Sequence, residues 1–377
     1  MDLSLSEQQE MLKRMARDFL ADKCTPKYVR QMETDERGHS LELWREMAEL
    51  GFMGLAFPEQ YGGGGMSFID MVVLLEEMGR ACLPGPLFST VITCGLLILN
   101  IGSEAQKQEL LPKIASGEMI LSLALSEAEA DYDKDYFSVT ATPDKDAYII
   151  NGTKLFVPHA HIADYLICLA RTKASANRKP EINIFLVDAK NAGISKTPLK
   201  TIAADKQYEV TFTNVRVPMT NILGKENQSW PEIDRVLQFA AVAKCAEMIG
   251  GAQRVLEMTT DYATDRIQFG HPIGSFQAIQ HHCANMLIDV HTSRWITYQA
   301  ACKLTEGAPC TKEASVAKSW VDQAYRRVCM LAHQVHGAIG FTEDHDLQLY
   351  TKRAKAAEVA FGDADFHREI VAREIGL

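Results

Sequence analysis

The chain has 377 residues, with 49 Asp and Glu against 39 Lys and Arg, a formal net charge of -10; 47% of it is hydrophobic, 23% charged and 8% aromatic. That balance excludes disordered and fibrous chains and leaves length for two or three domains whose core needs no disulfide or metal staples. The acidic excess excludes a general nucleic-acid binder, which needs a basic face to displace counterions from phosphates. A few local Arg or Lys can still build a pocket for an anionic small ligand.

The chain begins with MDLSLSEQQEMLKRMARDFL, which carries charges throughout and has no apolar core segment, so it is not read as a signal peptide. Ser4 with Glu7 fits a capping box, in which a hydroxyl and a side-chain oxygen satisfy the first free N–H groups of a helix. Met11, Met15 and Phe19, with Leu12, Ala16 and Leu20 beside them, form an apolar stripe at helical spacing. Gly51 and the stretch from Pro58 to Gly65 break the pattern, the four glycines 62–65 reading as a flexible turn, and a new helix is expected near Met66. Ala81 to Ser103 carries no charge, a length that suits a membrane span. Pro84, Gly85, Pro86 and Gly95 interrupt it, which favours a turn followed by a buried helix over about 87–100. No membrane span is expected. Ser103 with Gln106 gives a second capping box.

The character changes near Met119. From there to about Val217 the chain shows short β-rich runs: ILSLAL, FSVTAT, AYII, KLFV, YLICLA, INIFLV and YEVTFTNVRV. Asn151-Gly152 lies between two of them and signals a hairpin, because both turn positions want positive φ. The tract from Thr172 to Glu181 reads as a polar loop. Helices return from about Trp230, with Ser229, Pro231 and Glu232 marking the start and segments expected at 231–265, 275–306, 311–335, 344–358 and 364–375. The order is α, then β, then α: an N-terminal helical domain over 1–118, a middle β-domain over 119–226 and a C-terminal helical domain over 227–377.

Nine scattered cysteines without a CxxC pair read as reduced thiols of a cytoplasmic protein. Asp131, Asp133 and Asp135 resemble the start of a calcium loop, but Tyr136 and Thr142 stand where such a loop needs Gly and Glu. His333 and His336 lie one turn apart with no third ligand, which reads as a polar helix face. No metal is expected. Ser315-x-x-Lys318 matches a nucleophile motif whose companion motifs are missing. The informative pattern is distributed. Arg266 offers a fork for phosphate oxygens, Phe156 and Phe269 can flank a flat ring, Gln277 and Gln334 can bond a ring edge, and Gly337 and Gly340 allow close backbone approach. Together they describe a site for a planar, phosphate-bearing cofactor without a GxGxxG loop.

At these motifs the sequence resembles the acyl-CoA dehydrogenase family. LSEQQEMLKRMARDF, ELGFMGLAFPEQYGGGG, IASGEMILSLALSE, NGTKLFV, VRVPMTNILG, DRIQFGHPIGSFQAIQ and QVHGAIGFT match in order over nearly the whole chain. The resemblance implies an α+β fold in which the β-domain is followed by a C-terminal four-helix bundle. It implies bound FAD, with Leu125 and Ser126 at the isoalloxazine ring and Phe156 packed on it in place of the usual Trp. Arg266 and Phe269 would reach the FAD of a neighbouring subunit, and Gln334 and Gly337 would hold its ADP portion, with Gln277 nearby. Sites shared in this way imply a homo-tetramer or hetero-tetramer. The implied reaction is dehydrogenation of an acyl-CoA thioester: a carboxylate takes the α-proton, the β-hydrogen leaves as hydride to the flavin, and electron-transferring flavoprotein reoxidises it.

The chain departs from the family at the base. The usual Glu position before the last helix is Phe361, and the alternative position on the first long C-terminal helix is Ala240, followed by Ala241 where the family often has Arg. Ser126 replaces the usual Thr, and the segment that touches CoA after the TE motif is AEADYDKDY instead of a GSD pattern. Asp363 is the nearest acid, with a cofactor contact or helix cap as its expected role and catalysis as a weaker one. The departures leave open a displaced base suited to a cyclic or dicarboxylic acyl-CoA, a base-free elimination or desulfination, a base-lacking subunit of a hetero-oligomer, and a monooxygenase relative on the same fold.

Overall fold

The structure, a computed structural model, describes residues 5–129, 137–172, 181–226 and 230–377. Ser4, Asn227, Ser229, the aspartates at 131, 133 and 135, Tyr136 and most of the expected polar loop lie outside them. In chain order the helices are α1 (Glu7–Lys23), α2 (Pro26–Thr34), α3 (Leu41–Glu49), α4 (Phe68–Arg80), α5 (Leu96–Ile101) and α6 (Glu104–Ala115). The strands β1 (Leu121–Ala124), β2 (Thr140–Asp144), β3 (Ala147–Pro158), β4 (Tyr165–Thr172), β5 (Glu181–Asp188), β6 (Ile194–Leu199), β7 (Gln207–Pro218) and β8 (Ile222–Leu223) follow. Then come α7 (Trp230–Asp265), the hairpin β9 (Ile267–Gln268) and β10 (His271–Pro272), α8 (Gln277–Thr305), α9 (Thr311–His336), α10 (Leu347–Val359) and α11 (Ala364–Glu374).

Two compact units are built from discontinuous pieces. One contains Met1–Gln31, Ser67–Leu83 and Gln238–Leu377, the other Met32–Met66 and Pro84–Leu237.

In the helical unit, α9 packs against α8, α10 and α11, and α4 packs against α1 and α8. The capping box of α1 is Ser6 with Gln9: the Gln9 amide donates to Ser6 Oγ at 3.2 Å and the Ser6 amide to Gln9 Oε1 at 2.9 Å. It lies two residues beyond the pair expected from sequence. Of the α1 stripe, Leu12, Ala16 and Leu20 are buried, whereas Met11 and Met15 are exposed, so the buried face is rotated away from the methionines. Helices α4 and α7 cross closely. A Cβ on Gly79 would sit 1.9 Å from the Glu247 carbonyl oxygen, and one on Gly250 would sit 1.8 Å from that of Glu76. Acids of α4 are paired in the same region, Glu76 with Arg294 at 2.7 Å and Glu77 with Arg17 at 2.8 Å.

In the second unit, the sheet runs in the order β6-β7-β3-β2-β4-β5-β8, with β1 added in parallel to β4. Val139, Ile150, Val157, Leu166, Phe185, Val210, Phe212 and Val215 form much of its core. Asn151-Gly152 is not a hairpin. β3 runs through it as one strand, and the register against β7 shifts between Ile150 and Gly152. The positive φ of Gly152 serves a bulge, and the β2–β3 turn is at Lys145 and Asp146 instead. The glycines 62–65 are also more ordered in shape than a flexible turn: Gly64 and Gly65 amides bond the Gly54 and Phe57 carbonyls at 2.9 and 2.8 Å. The uncharged stretch after Pro86 forms wide π-type turns over Phe88–Gly95 before α5. There Thr90 Oγ1 bonds the Leu121 carbonyl at 3.1 Å and starts β1. Among the described residues, no helix is long and apolar enough to cross a membrane.

Candidate functional site

β1 delivers Leu125, Ser126 and Glu127 beside β3. The Leu155 amide donates to the Ser126 carbonyl at 2.9 Å. Lys154 has no exposed side chain; its ammonium donates to the Leu125 carbonyl at 3.0 Å and to Glu127 Oε1 at 2.6 Å, and lies 4.3 Å from the centre of the Phe137 ring. Glu127 also accepts from the Val139 amide at 3.2 Å. Burial works to raise the Glu127 carboxyl, but Lys154 and Ser138 outweigh it and hold it below its ordinary value. The backbone at the tip of this segment is thus fixed from beneath by a lysine, while Leu125 is buried and Ser126 half-buried.

Phe156 lies where the β3–β7 register shifts again, between Lys154 and Val157. Its φ is 53° and its side chain is 58% exposed. A bulky residue in the left-handed region is an outlier, and such strain collects at functional sites. Among the described residues, three of the eight non-glycine residues with positive φ are phenylalanines: Phe156, Phe269 and Phe361. All three were singled out from sequence.

In the helical unit, Phe269 and Gly270 form the two-residue turn between β9 and β10, with φ of 55° and 86°, as a I′ turn requires. Sequence reading places no hairpin here. Phe269 is 87% exposed. Arg266, just past the end of α7, is exposed too, and its guanidinium has no partner among the described residues. Its backbone is tied: its amide donates to the Tyr262 carbonyl at 2.9 Å, and its carbonyl accepts from Ile273 at 2.8 Å. Gln277 opens α8 and is exposed.

Gln334 is exposed in the last turn of α9, and Gly337 ends that helix at φ 62° with open space where a Cβ would be. The histidines flanking Gln334 do not form a polar face. His333 and His336 are buried, stacked on Phe341 and Tyr262 at 4.6 and 4.5 Å between ring centres. Burial lowers the pKa of both. Aromatic stacking absorbs the imidazoles, a tertiary effect that helical spacing does not reveal. Among the described residues, no group of three or more His, Cys, Asp or Glu could hold a metal ion.

The link between α10 and α11 carries Phe361, Gly362 and Asp363. Phe361 has φ 60° and Gly362 φ 90°. Asp363 Oδ1 accepts from the Phe366 amide at 2.9 Å and caps α11. Asp365 pairs with Arg368 at 2.6 Å. Ala240 and Ala241 are buried within α7. Thus Leu125, Ser126 and Phe156 meet in one unit, while Arg266 and Phe269 share a hairpin in the other. Sequence reading includes KLFV and sets the Ser315-x-x-Lys318 spacing aside, but does not foresee that Lys154 and Lys318 are among the largest fully buried side chains.

Within the second unit Phe156 offers an exposed aromatic face; within the helical unit Phe269 offers another, Arg266 a guanidinium with no partner among the described residues, Gln277 and Gln334 exposed amides, and Gly337 an open backbone. Each set has the chemistry that a flavin dinucleotide takes. Comparisons with known proteins bear on the family and the fold. The models described as acyl-CoA dehydrogenase N-terminal, middle and C-terminal domains match residues 6–118, 122–215 and 227–376. An acyl-CoA dehydrogenase of Bacillus subtilis is 30% identical, with 98% of each chain covered. A solved steroid ACAD, Tcur3481-Tcur3483, is 32% identical with a TM-score of 0.88, covering 99% of this chain and 98% of that one. A chain of the ChsE4-ChsE5 complex from Mycobacterium tuberculosis is 27% identical with a TM-score of 0.90, covering 100% and 99%.

Proposed function

Because the chain belongs to the acyl-CoA dehydrogenase family, we propose that it dehydrogenates an acyl-CoA thioester with FAD, using a base other than residue 361. The family reading rests on the match of all three domain models; the displaced base rests on Phe361, an apolar ring on left-handed backbone that the sequence resemblance aligns with the family's Glu. When bound, FAD would supply a hydride acceptor for the substrate β-hydrogen. Leu125, Ser126 and Phe156 are proposed to meet its ring, and Arg266, Phe269, Gln277, Gln334 and Gly337 its remainder. Arg266 suits the pyrophosphate because a planar fork pairs two phosphate oxygens at once. Asp363 is proposed as a helix cap beside the cofactor, since its carboxylate already holds the Phe366 amide. Likeness to a protein named a steroid ACAD supports a cyclic acyl portion.

A second reading is favoured by a specific likeness. This chain matches a member of a complex that carries two subunit names. A base-lacking subunit whose partner supplies the carboxylate, within a hetero-tetramer, accounts for Phe361 and for the buried Ala240 together. A homo-tetramer with a displaced base is the arrangement it competes with. Electron-transferring flavoprotein is the proposed electron acceptor in either case.

The test is anaerobic titration of the purified chain with butyryl-CoA and with a steroid side-chain acyl-CoA, following the flavin spectrum. We expect a yellow protein that butyryl-CoA does not bleach and a Phe361→Glu variant that it does. Bleaching of the wild-type chain by the steroid thioester supports the displaced base. A protein without flavin, or one whose spectrum no acyl-CoA perturbs before or after Phe361→Glu, refutes the reading for the isolated chain.

A further inference from the structure

Lys318 lies on α9 with no exposed side chain, and neither has its partner Asp322, one turn further on. The ammonium is 2.7 and 2.8 Å from the two Asp322 oxygens, 2.8 Å from the Gly362 carbonyl oxygen and 3.1 Å from that of Glu358. One turn before Lys318, Ser315 Oγ lies 3.1 Å from Nδ1 of the buried His367, whose Nε2 lies 2.9 Å from the Phe361 carbonyl oxygen. A carbonyl only accepts, so Nε2 carries the proton and Nδ1 accepts from the Ser315 hydroxyl. Burial keeps the imidazole neutral, its pKa pulled down to about 4.

A cation near the last turn of α10 would be ordinary helix capping if it met only Glu358. Here the bonds continue past the helix end, to the carbonyls of Phe361 and Gly362, where the backbone is left-handed. Asp363 fixes the next residue by capping α11. A strained conformation persists only where its surroundings over-determine it, and this link is held at residues 358, 361, 362 and 363. The Ser-x-x-Lys spacing, which matched no nucleophile machinery, places both groups on the face of α9 that meets this link.

We propose that Ser315, Lys318, Asp322 and His367 are positioning residues that hold the Phe361 turn and set where the side chain of residue 361 projects; this rests on the reading of residue 361 as the family's base position. They touch no substrate. They act through the carbonyls of the turn, so their loss moves residue 361 without removing it.

The test is hydrogen exchange across residues 358–367 in the flavin-loaded protein, combined with reduction kinetics. Lys318→Met with Asp322→Leu removes both buried charges together, so no unpaired charge is left to unfold the chain. His367→Leu removes only a neutral hydrogen bond, and His367→Gln keeps an amide donor for the Phe361 carbonyl. Exchange at 358–367 is expected to rise about tenfold or more in the double variant and in His367→Leu, with other segments unchanged and with recovery in His367→Gln. Unchanged exchange at 358–367, or a rise shared by the whole chain, overturns the proposal. In a Phe361→Glu background, the double variant should slow flavin reduction by butyryl-CoA about tenfold to a hundredfold, with KM little changed. If exchange rises while that rate holds, the turn is held as proposed and the placement of residue 361 at the substrate is what falls.

Discussion

Lys154 and Glu127 form an ion pair 2.6 Å long with no exposed surface on the lysine side chain, and the same ammonium holds the Leu125 carbonyl. One charge therefore both neutralises a buried acid and fixes the backbone of the segment proposed to meet the flavin ring. Removing one partner of such a pair leaves an uncompensated charge, at about 3–5 kcal/mol. Lys154→Met should lower stability by that order and release flavin. Urea unfolding and the visible flavin absorbance per mole of protein measure the two. The pair is also a pH device. The depressed Glu127 carboxyl contributes stability above its unfolded value of about 4.3 that is lost as pH falls through the lower folded value.

Two buried imidazoles make stability fall earlier on the way to acid. Burial pulls His39 and His367 down to about 4, against about 6.5 in an unfolded chain. The folded state keeps both neutral, so their contribution is complete above about pH 6.5 and is lost as pH falls toward 4. Asp322 acts oppositely, since burial pushes its carboxyl up to about 7 against the pull of Lys318. The informative comparison is thus between wild type and His39→Leu. The variant should lose less stability than wild type between pH 7 and pH 5 in urea unfolding, and parallel losses would refute the assignment.

The crossing of α4 and α7 offers a purely structural test. Gly79→Ala and Gly250→Ala each put a methyl group under 2 Å from a backbone oxygen of the facing helix. Backbone cannot rotate away as a side chain can, so overpacking of about 1–3 kcal/mol is the minimum expected. Thermal unfolding should show each variant well below wild type, whereas Gly51→Ala, with open space at its Cβ, should show only the strain of its positive φ.

These features differ in how far they show in the sequence. Helix positions were legible because apolar spacing and breakers are local. Asn151-Gly152 and Phe269-Gly270 show the limit. Both pairs carry a positive-φ glycine, but the first lies in a strand whose pairing with β7 makes it a bulge, and Phe is an unusual residue for the left-handed corner of the second. Arg266, Phe269 and Phe156 are proposed as cofactor groups through the family motifs, and the structure adds only that Phe156 and Phe269 are exposed on left-handed backbone. Lys154 and Lys318 were not singled out as buried cations, because a lysine in sequence reads as a solvated end and only the packed structure shows the carbonyls it holds. His333 and His336 were misjudged for the converse reason: the chain turns back after Gly337 to lay Phe341 on His333, and Tyr262, which stacks on His336, comes from distant α7.

The β9–β10 hairpin separates a binding role from a structural one most cleanly. Phe269 is 87% exposed and meets Phe276 only edge-on at 6.0 Å between ring centres, and Arg266 has no ionic partner among the described residues, so neither side chain is packed into the core. Substitution at such positions normally changes stability by less than about 0.5 kcal/mol. Arg266→Ala and Phe269→Ala should therefore unfold at the wild-type urea midpoint once flavin has been removed from all three proteins. With flavin added back, wild type should gain stability by mass action, while Arg266→Ala loses a bidentate phosphate contact and Phe269→Ala loses a ring face. Arg266→Ala should weaken FAD binding by about tenfold or more, the scale of about 1.5–3 kcal/mol for a hydrogen bond to a charged group, and Phe269→Ala by several-fold, the scale of about 0.5–1.5 kcal/mol for an aromatic pair. Titration of the apoproteins with FAD gives the affinities directly. Equal affinities in all three would remove this hairpin from the cofactor site, whatever role the rest of the chain retains.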